Sequence, residues 1–130
     1  MRILIVDDHQ NMIDALKNII PYAFEEAKKI NFIESLNCKS AFLEIKKEYE
    51  SNNSFDLAII DYSLPADTEN KVSNGGDICL FVREKMPSCK TMIFTAHLED
   101  FLLFEINQKI KPDALVIKSE VGAEGLIKIF

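Results

Sequence analysis

Asp7 with Asp8, Asp61, Thr95 and Lys118 share one property: each stands directly after a short apolar run. The runs read ILIV before Asp7, LAII before Asp61, TMIF before Thr95 and ALVI before Lys118. A strand covered on both faces is an uninterrupted apolar run, and the first polar residue after it marks where the chain returns to water. Taken singly, such a residue is a helix cap or a solvated turn residue. Taken together, at the carboxyl ends of parallel strands with the first strand central, they bring three carboxylates, a hydroxyl and an amine to one edge. That edge is where open α/β sheets bind ligands.

The chemistry of that set is restrictive. Three carboxylates within a few ångströms repel, and one is pushed to protonate unless a cation intervenes. Mg²⁺ takes oxygen ligands and is commonly held by one or two carboxylates with several waters. Three acids, one divalent ion and the Lys118 ammonium leave a formally neutral site that accepts a dianionic phosphoryl group. Phosphoryl transfer needs a positioned nucleophile, a metal, and donors on the equatorial oxygens. Asp61, on the third strand, is the expected nucleophile, since carboxylates do form acyl phosphates. Asp7 and Asp8 are expected to hold the metal, Lys118 to pair with one phosphoryl oxygen, and Thr95 to hydrogen-bond another. His9 and His97 flank the same edge; without helical i, i+4 spacing they read as solvated rather than as ligands of a transition metal.

Five apolar segments must position these groups: Ile3–Val6, Phe32–Ser35, Leu57–Ile60, Thr91–Phe94 and Ala114–Ile117. Between them run segments of helical period. Met12, Ile13, Leu16, Ile19 and Ile20 form one stripe, ended or kinked by Pro21. Ala41, Phe42, Ile45 and Tyr49 form a second; Ile78, Cys79, Phe81, Val82 and Met86 a third; Phe101, Leu102, Phe104, Ile106 and Ile110 a fourth. A last helix is expected from about Glu120, carrying Leu126, Ile127 and Phe130. Strands alternating with helices predict right-handed crossovers and a five-stranded parallel sheet with helices on both faces. One connection is out of scale: residues 65–76, PADTENKVSNGG, exceed the usual roughly 2–6 residues and read as an insertion or a functional loop.

The whole-chain properties agree. With 130 residues, 48% of them hydrophobic and 28% charged, the sequence is that of one globular domain. No apolar stretch approaches the roughly 18 residues of a membrane span, and the start MRILIVDDHQ is no signal peptide. Cys38, Cys79 and Cys89 are odd in number, widely spaced and without a CxxC, as expected of reduced thiols in a cytoplasmic protein. A formal charge of −6 disfavours nucleic-acid binding by this domain itself. The sequence stops at Phe130 inside an apolar helical pattern, which fits a domain, residues 1–130, at the front of a longer protein.

VDDH after the first strand, IIDYSLP on the third, FTAH on the fourth and VIKSE on the fifth together resemble the receiver domain of two-component response regulators, over essentially the whole chain. The resemblance implies a doubly wound, flavodoxin-like sheet of order 2-1-3-4-5. It implies that Asp61 is phosphorylated by a sensor histidine kinase or phosphotransfer protein. It further implies that Asp8, Asp61 and the Ser63 backbone carbonyl ligate Mg²⁺, with Asp7 acting largely through water. Thr95 and Lys118 match the family's switch hydroxyl and lysine, and Pro65 its usual proline. Phosphorylation would shift the face of the fourth helix, fifth strand and fifth helix, where the family often dimerises or docks its output. DDH and KS resemble the helix-turn-helix (LuxR-type) transcription-factor branch, implying a DNA-binding domain beyond Phe130. Three departures stand out. Leu115 occupies the place of the family's aromatic switch residue, Ser119 that of its proline, and the loop from Ala66 to Asn74 is longer than the family's link.

Three other classes compete. A Mg²⁺-dependent phosphohydrolase or Toprim-like nuclease usually carries D-x-D, whereas Asp7 and Asp8 are adjacent and Asp61 is alone. A flavodoxin-like nucleotide binder needs an anion cradle after the first strand, where DDHQN would repel phosphate. A receiver-like interaction module that is never phosphorylated usually lacks an acid, the hydroxyl or the lysine, and none is absent here.

Overall fold

The expected strand–helix alternation is what the chain adopts. The computed structural model describes residues 1–24, 29–96 and 99–118. In chain order the elements are β1 Arg2–Val6, α1 Gln10–Ala23, β2 Asn31–Ser35, α2 Cys38–Glu50, β3 Leu57–Ile60, α3 Gly75–Lys85, β4 Lys90–Thr95, α4 Asp100–Lys109 and β5 Ala114–Ile117. The strands form one parallel sheet of order β2-β1-β3-β4-β5. The helix expected from Glu120, together with His97 and Ser119, lies outside the described residues.

Alternation along the strands explains the apolar runs. Leu4, Val6, Ala58, Ile60 and Ile93 face a core shared with Ala41 and Ile45 of α2, Ile78, Cys79 and Val82 of α3, and Ile106 of α4. Ile3, Ile5, Ile59, Met92, Phe94 and Val116 face the other layer, closed by Ile13, Leu16 and Ile20 of α1. With both faces covered, Ile3–Val6 of β1 and Leu57–Ile60 of β3 are apolar throughout, and Arg2 stands only at the open start of β1. All three cysteines are buried and unpaired. Burial pushes the Cys38 thiol up to about 11 and that of Cys89 to about 12.

Several sequence expectations need correction. Helix α1 does not end at Pro21 but runs to Ala23, because a proline in the last turn removes only one ladder bond. In α2 the buried position after Ile45 is Glu48 rather than Tyr49. Arg2 Nη1 lies 2.9 Å from Glu48 Oε2, and this charge pairing makes burial of the acid tolerable. Tyr49 turns outward, with Lys85 Nζ 5.1 Å above its ring. In α4 the stripe is Leu102, Ile106 and Ile110, while Phe101 and Phe104 are 70% and 62% exposed. At 100° per residue those two rings fall opposite Ile106.

The long connection is an ordered hairpin. Asp67 and Val72 exchange two backbone hydrogen bonds of 2.7 and 2.9 Å, and Lys71 adopts φ 58° in the turn between them. Asn70 Nδ2 donates to Asp67 Oδ2 at 2.6 Å, and the Val72 side chain is buried in the core. Helix α3 begins at Gly75, inside the stretch read as loop.

Candidate phosphoryl and metal site

The sheet order reverses at β1, whose neighbours β2 and β3 lie on opposite sides, and the crevice at such a switch point opens at the strands' carboxyl ends. The ladder continues one residue beyond each strand there. Asp7 N–H donates to Ser35 O at 3.1 Å, and Asp61 N–H donates to Val6 O at 2.8 Å. These bonds fix both aspartates by backbone, not by side-chain choice. Their side chains are almost wholly buried, at 3% and 5% exposure.

Burying two acids side by side is costly unless their charge is answered. Lys118, the residue after β5, answers both. Its Nζ is 2.7 Å from Asp7 Oδ2 and 3.4 Å from Asp61 Oδ2, and it lies 5.5 Å above the Phe94 ring. The other oxygen of each aspartate closes a local turn. Asp7 Oδ1 accepts from His9 N–H at 2.9 Å, and Asp61 Oδ1 from Ser63 N–H at 3.0 Å. Asp8 stands at the mouth, one-third exposed. Thr95 ends β4, in register with Ile117 immediately before Lys118. Its hydroxyl is buried and has no hydrogen-bond partner among the described residues.

The structure thus brings Asp7, Asp8, Asp61 and Lys118 together and sets Thr95 on the neighbouring strand end. For Ser63, its amide is what contacts Asp61. Leu115 packs against the core beneath α4, so an aliphatic side chain fills that position. His97 lies outside the described residues. His9 is mostly exposed, as expected of a solvated histidine, yet Nδ1 reaches 3.2 Å from Asp7 Oδ1 and 3.0 Å from Asp8 Oδ1. Its position directly after two strand-end acids was the available signal. Gly75 was not singled out from the sequence. Its backbone approaches the Asp61 carbonyl so closely that an added Cβ would lie 1.8 Å from that oxygen.

The donor set suits a divalent cation. One atom each from Asp7, Asp8, His9 and Asp61 lies within 4.8 Å of all the others. Opposite ligands of an octahedral ion are about 4.2 Å apart, twice the metal–oxygen distance of about 2.1 Å. Three carboxylates against one ammonium leave a surplus of negative charge that such an ion neutralises.

No protein-family model and no curated protein sequence matches the chain. Solved structures do share its fold. A CheY-like response regulator receiver domain protein from Methanospirillum hungatei JF-1 is 22% identical, with TM-score 0.72 over 98% of this chain and 88% of that one. RcsB from Salmonella enterica serovar Typhimurium, bound to promoter rprA in the presence of phosphomimetic BeF3-, is 18% identical, with TM-score 0.73 over 98% of this chain and 65% of that one. A Burkholderia pseudomallei response regulator with a phosphorylated aspartic acid, calcium ion and citrate is 14% identical, with TM-score 0.68 over 97% and 64%. The fold is therefore that of response regulator receiver domains, with the 2-1-3-4-5 order expected from the sequence.

Proposed function

We propose that this domain is a phosphorylation-controlled signalling switch rather than a classical enzyme. The observation that carries the reading is the convergence at the switch point of buried Asp61, buried Asp7 and the Lys118 ammonium that touches both. The Thr95 hydroxyl on the next strand end, buried with no partner among the described residues, supports it. Asp61 is the acceptor: a carboxylate oxygen attacks phosphorus, the bond from phosphorus to the donor breaks, and the donor leaves with the electron pair. The donor is the phosphohistidine of a sensor kinase or phosphotransfer protein. Lys118 stays beside Asp61 and takes up a phosphoryl oxygen. Thr95 Oγ1 is a donor in reserve for another.

Asp7, Asp8, Asp61 and the Ser63 carbonyl would hold Mg²⁺, which when bound neutralises the acids and the charge developing on the phosphoryl oxygens. A hydrogen bond drawn by the phosphoryl group pulls on Thr95, and the change passes along β4 to α4 and β5. Exposed Phe101 and Phe104 give that face an apolar patch for a second copy or an output domain, and transcription is the output assigned. Among the described residues no helix is long and apolar enough to cross a membrane. A cytoplasmic setting fits the proposed kinase-driven switch.

The test is intact-mass spectrometry after incubation with acetyl phosphate, with and without Mg²⁺, beside Asp61→Asn. The expected result is a Mg²⁺-dependent gain of one phosphoryl group that is absent in the variant. No gain, together with no beryllofluoride binding in the same buffers, would overturn the switch in favour of an interaction module that is never phosphorylated.

A further inference from the structure

Tyr62, the residue after Asp61, has no task in the proposed switch. It lies under a turn that Asp61 itself closes, in which Ser63 N–H donates to Asp61 Oδ1 at 3.0 Å across Tyr62. An ionised carboxylate makes such a bond roughly twice as strong as a neutral acceptor does. Once the carboxylate is an acyl phosphate, its charge sits on the phosphoryl oxygens and the bond loses that assistance. Loading Asp61 therefore loosens the turn that sets the Tyr62 backbone.

The Tyr62 ring is held by packing rather than by hydrogen bonds. Among the described residues its hydroxyl has one such bond, accepted from Asn74 Nδ2 at a long 3.4 Å. The ring packs instead against the core layer that contains Ile106 and Ile110. Gly76 shows where: a Cβ built there would lie 3.1 Å from Tyr62 Cε2 and 2.4 Å from Ile110 Cδ1. Ring and isoleucine border one point, over a residue with no side chain to separate them. Ile110 in turn closes α4. Its N–H donates to Ile106 O at 2.9 Å, and the N–H of Lys111, at φ 52°, donates to the same oxygen at 3.1 Å.

Helix α4 is lightly held. Of its own residues only Ile106 is fully buried, while Phe101 and Phe104 face water. Elements with so few buried apolar contacts sit at the low-stability end of a fold, from which switching segments are drawn. The Ile110 contact is thus a large share of what fixes the helix end.

We propose that Tyr62 is a positioning residue that couples Asp61 to α4: loading Asp61 relaxes the turn over Tyr62, the ring shifts against Ile110, and the end of α4 shifts with it. The inference rests on the reading of Asp61 as phosphoacceptor, and the coupling works together with the pull on Thr95.

The test labels the chain with 3-fluorotyrosine, which marks its three tyrosines, Tyr22, Tyr49 and Tyr62. ¹⁹F spectra are compared before and after beryllofluoride with Mg²⁺, and Tyr62→Phe identifies the Tyr62 signal. That signal should shift, while those of the exposed Tyr22 and Tyr49 stay. Amide exchange across Asp100–Lys109 should change about fivefold or more on beryllofluoride binding, both in the parent and in Tyr62→Phe, which keeps the ring. Tyr62→Ala should lose that change and still gain one phosphoryl group from acetyl phosphate. Ile110→Val removes only the Cδ1 methyl that stands over Gly76, a change small enough to spare the fold, and should weaken the response. A Tyr62 signal unmoved by bound beryllofluoride, an unresponsive α4 in the parent, or a response undiminished in either contact variant would overturn this inference and leave the phosphoacceptor reading standing. No phosphoryl gain and no beryllofluoride binding in the parent would overturn both.

Discussion

Thr95 is the residue at which stability and function pull apart most plainly. Among the described residues the buried Thr95 hydroxyl has no partner, which costs the fold about 1–3 kcal/mol, and a methyl group has the shape to replace it. Thr95→Val keeps the shape and removes the unpaired oxygen. It should therefore raise the stability to urea by roughly 1 kcal/mol with an unchanged m-value, while abolishing the response of the α4 face to phosphorylation. Amide exchange along Asp100–Lys109, with and without beryllofluoride, reads the second effect. A variant that is less stable than the parent would show that the hydroxyl is satisfied in solution. At this scale the sequence was informative because Asp7, Asp61, Thr95 and Lys118 are each the first polar residue after a doubly covered strand. His9 was not legible in the same way. Its Nδ1 position depends on a turn closed by its own backbone on Asp7, and no periodicity encodes that.

Among the elements, the junction of β3 with α3 does most to place the nucleophile. Asn74 Oδ1 accepts from Gly76 N–H at 2.8 Å and from Asp77 N–H at 3.3 Å, and Asp77 Oδ2 accepts from Ser73 N–H at 2.7 Å. This reciprocal capping starts the helix one residue later, at Gly75, whose N–H donates to Tyr62 O at 3.0 Å. The helix start is thereby clamped on the peptide of Asp61, where only a residue without Cβ fits. Gly75→Ala should cost about 2–3 kcal/mol and slow phosphoryl uptake from acetyl phosphate as the Asp61 peptide is displaced. Urea midpoints and the time course of the mass gain measure the two effects. An alanine variant that matches the parent in both would show that α3 does not fix Asp61. The strands were legible to within one residue because alternation on a covered sheet leaves little choice. The hairpin was not, since a polar-looking stretch is ordered by a pairing of Asp67 with Val72 and by the burial of one valine. The α4 rings misled for the opposite reason: apolar residues occupy more of that helix than one sheet face can cover.

For the whole molecule, the acidic composition sets how folding depends on pH. The formal charge is −6, yet two carboxylates are held in the ionised form by particular partners. Glu48 lies below the ordinary carboxylate range, chiefly through the Arg2 guanidinium 2.9 Å away, and it ties the end of α2 to the start of β1. Asp113 lies below it chiefly through the Thr91 backbone N–H at 2.8 Å, and it ties the entry of β5 to β4. A carboxyl depressed in the fold binds protons less tightly than in the unfolded chain. Its stabilisation is present above the unfolded value, about pH 4, and is lost as the pH falls through the lower folded value. The buried thiols stay protonated over this range, since burial holds all three above their ordinary value. The urea midpoint should therefore be nearly flat near neutrality and fall as the pH drops below roughly 4. Glu48→Gln should begin lower at neutral pH, because Arg2 loses its counter-charge, and should lose less on acidification than the parent. Asp113, with a side chain 42% exposed, should contribute the smaller share. Parallel curves for Glu48→Gln and the parent would show that the Arg2 pair is not what couples folding to protons.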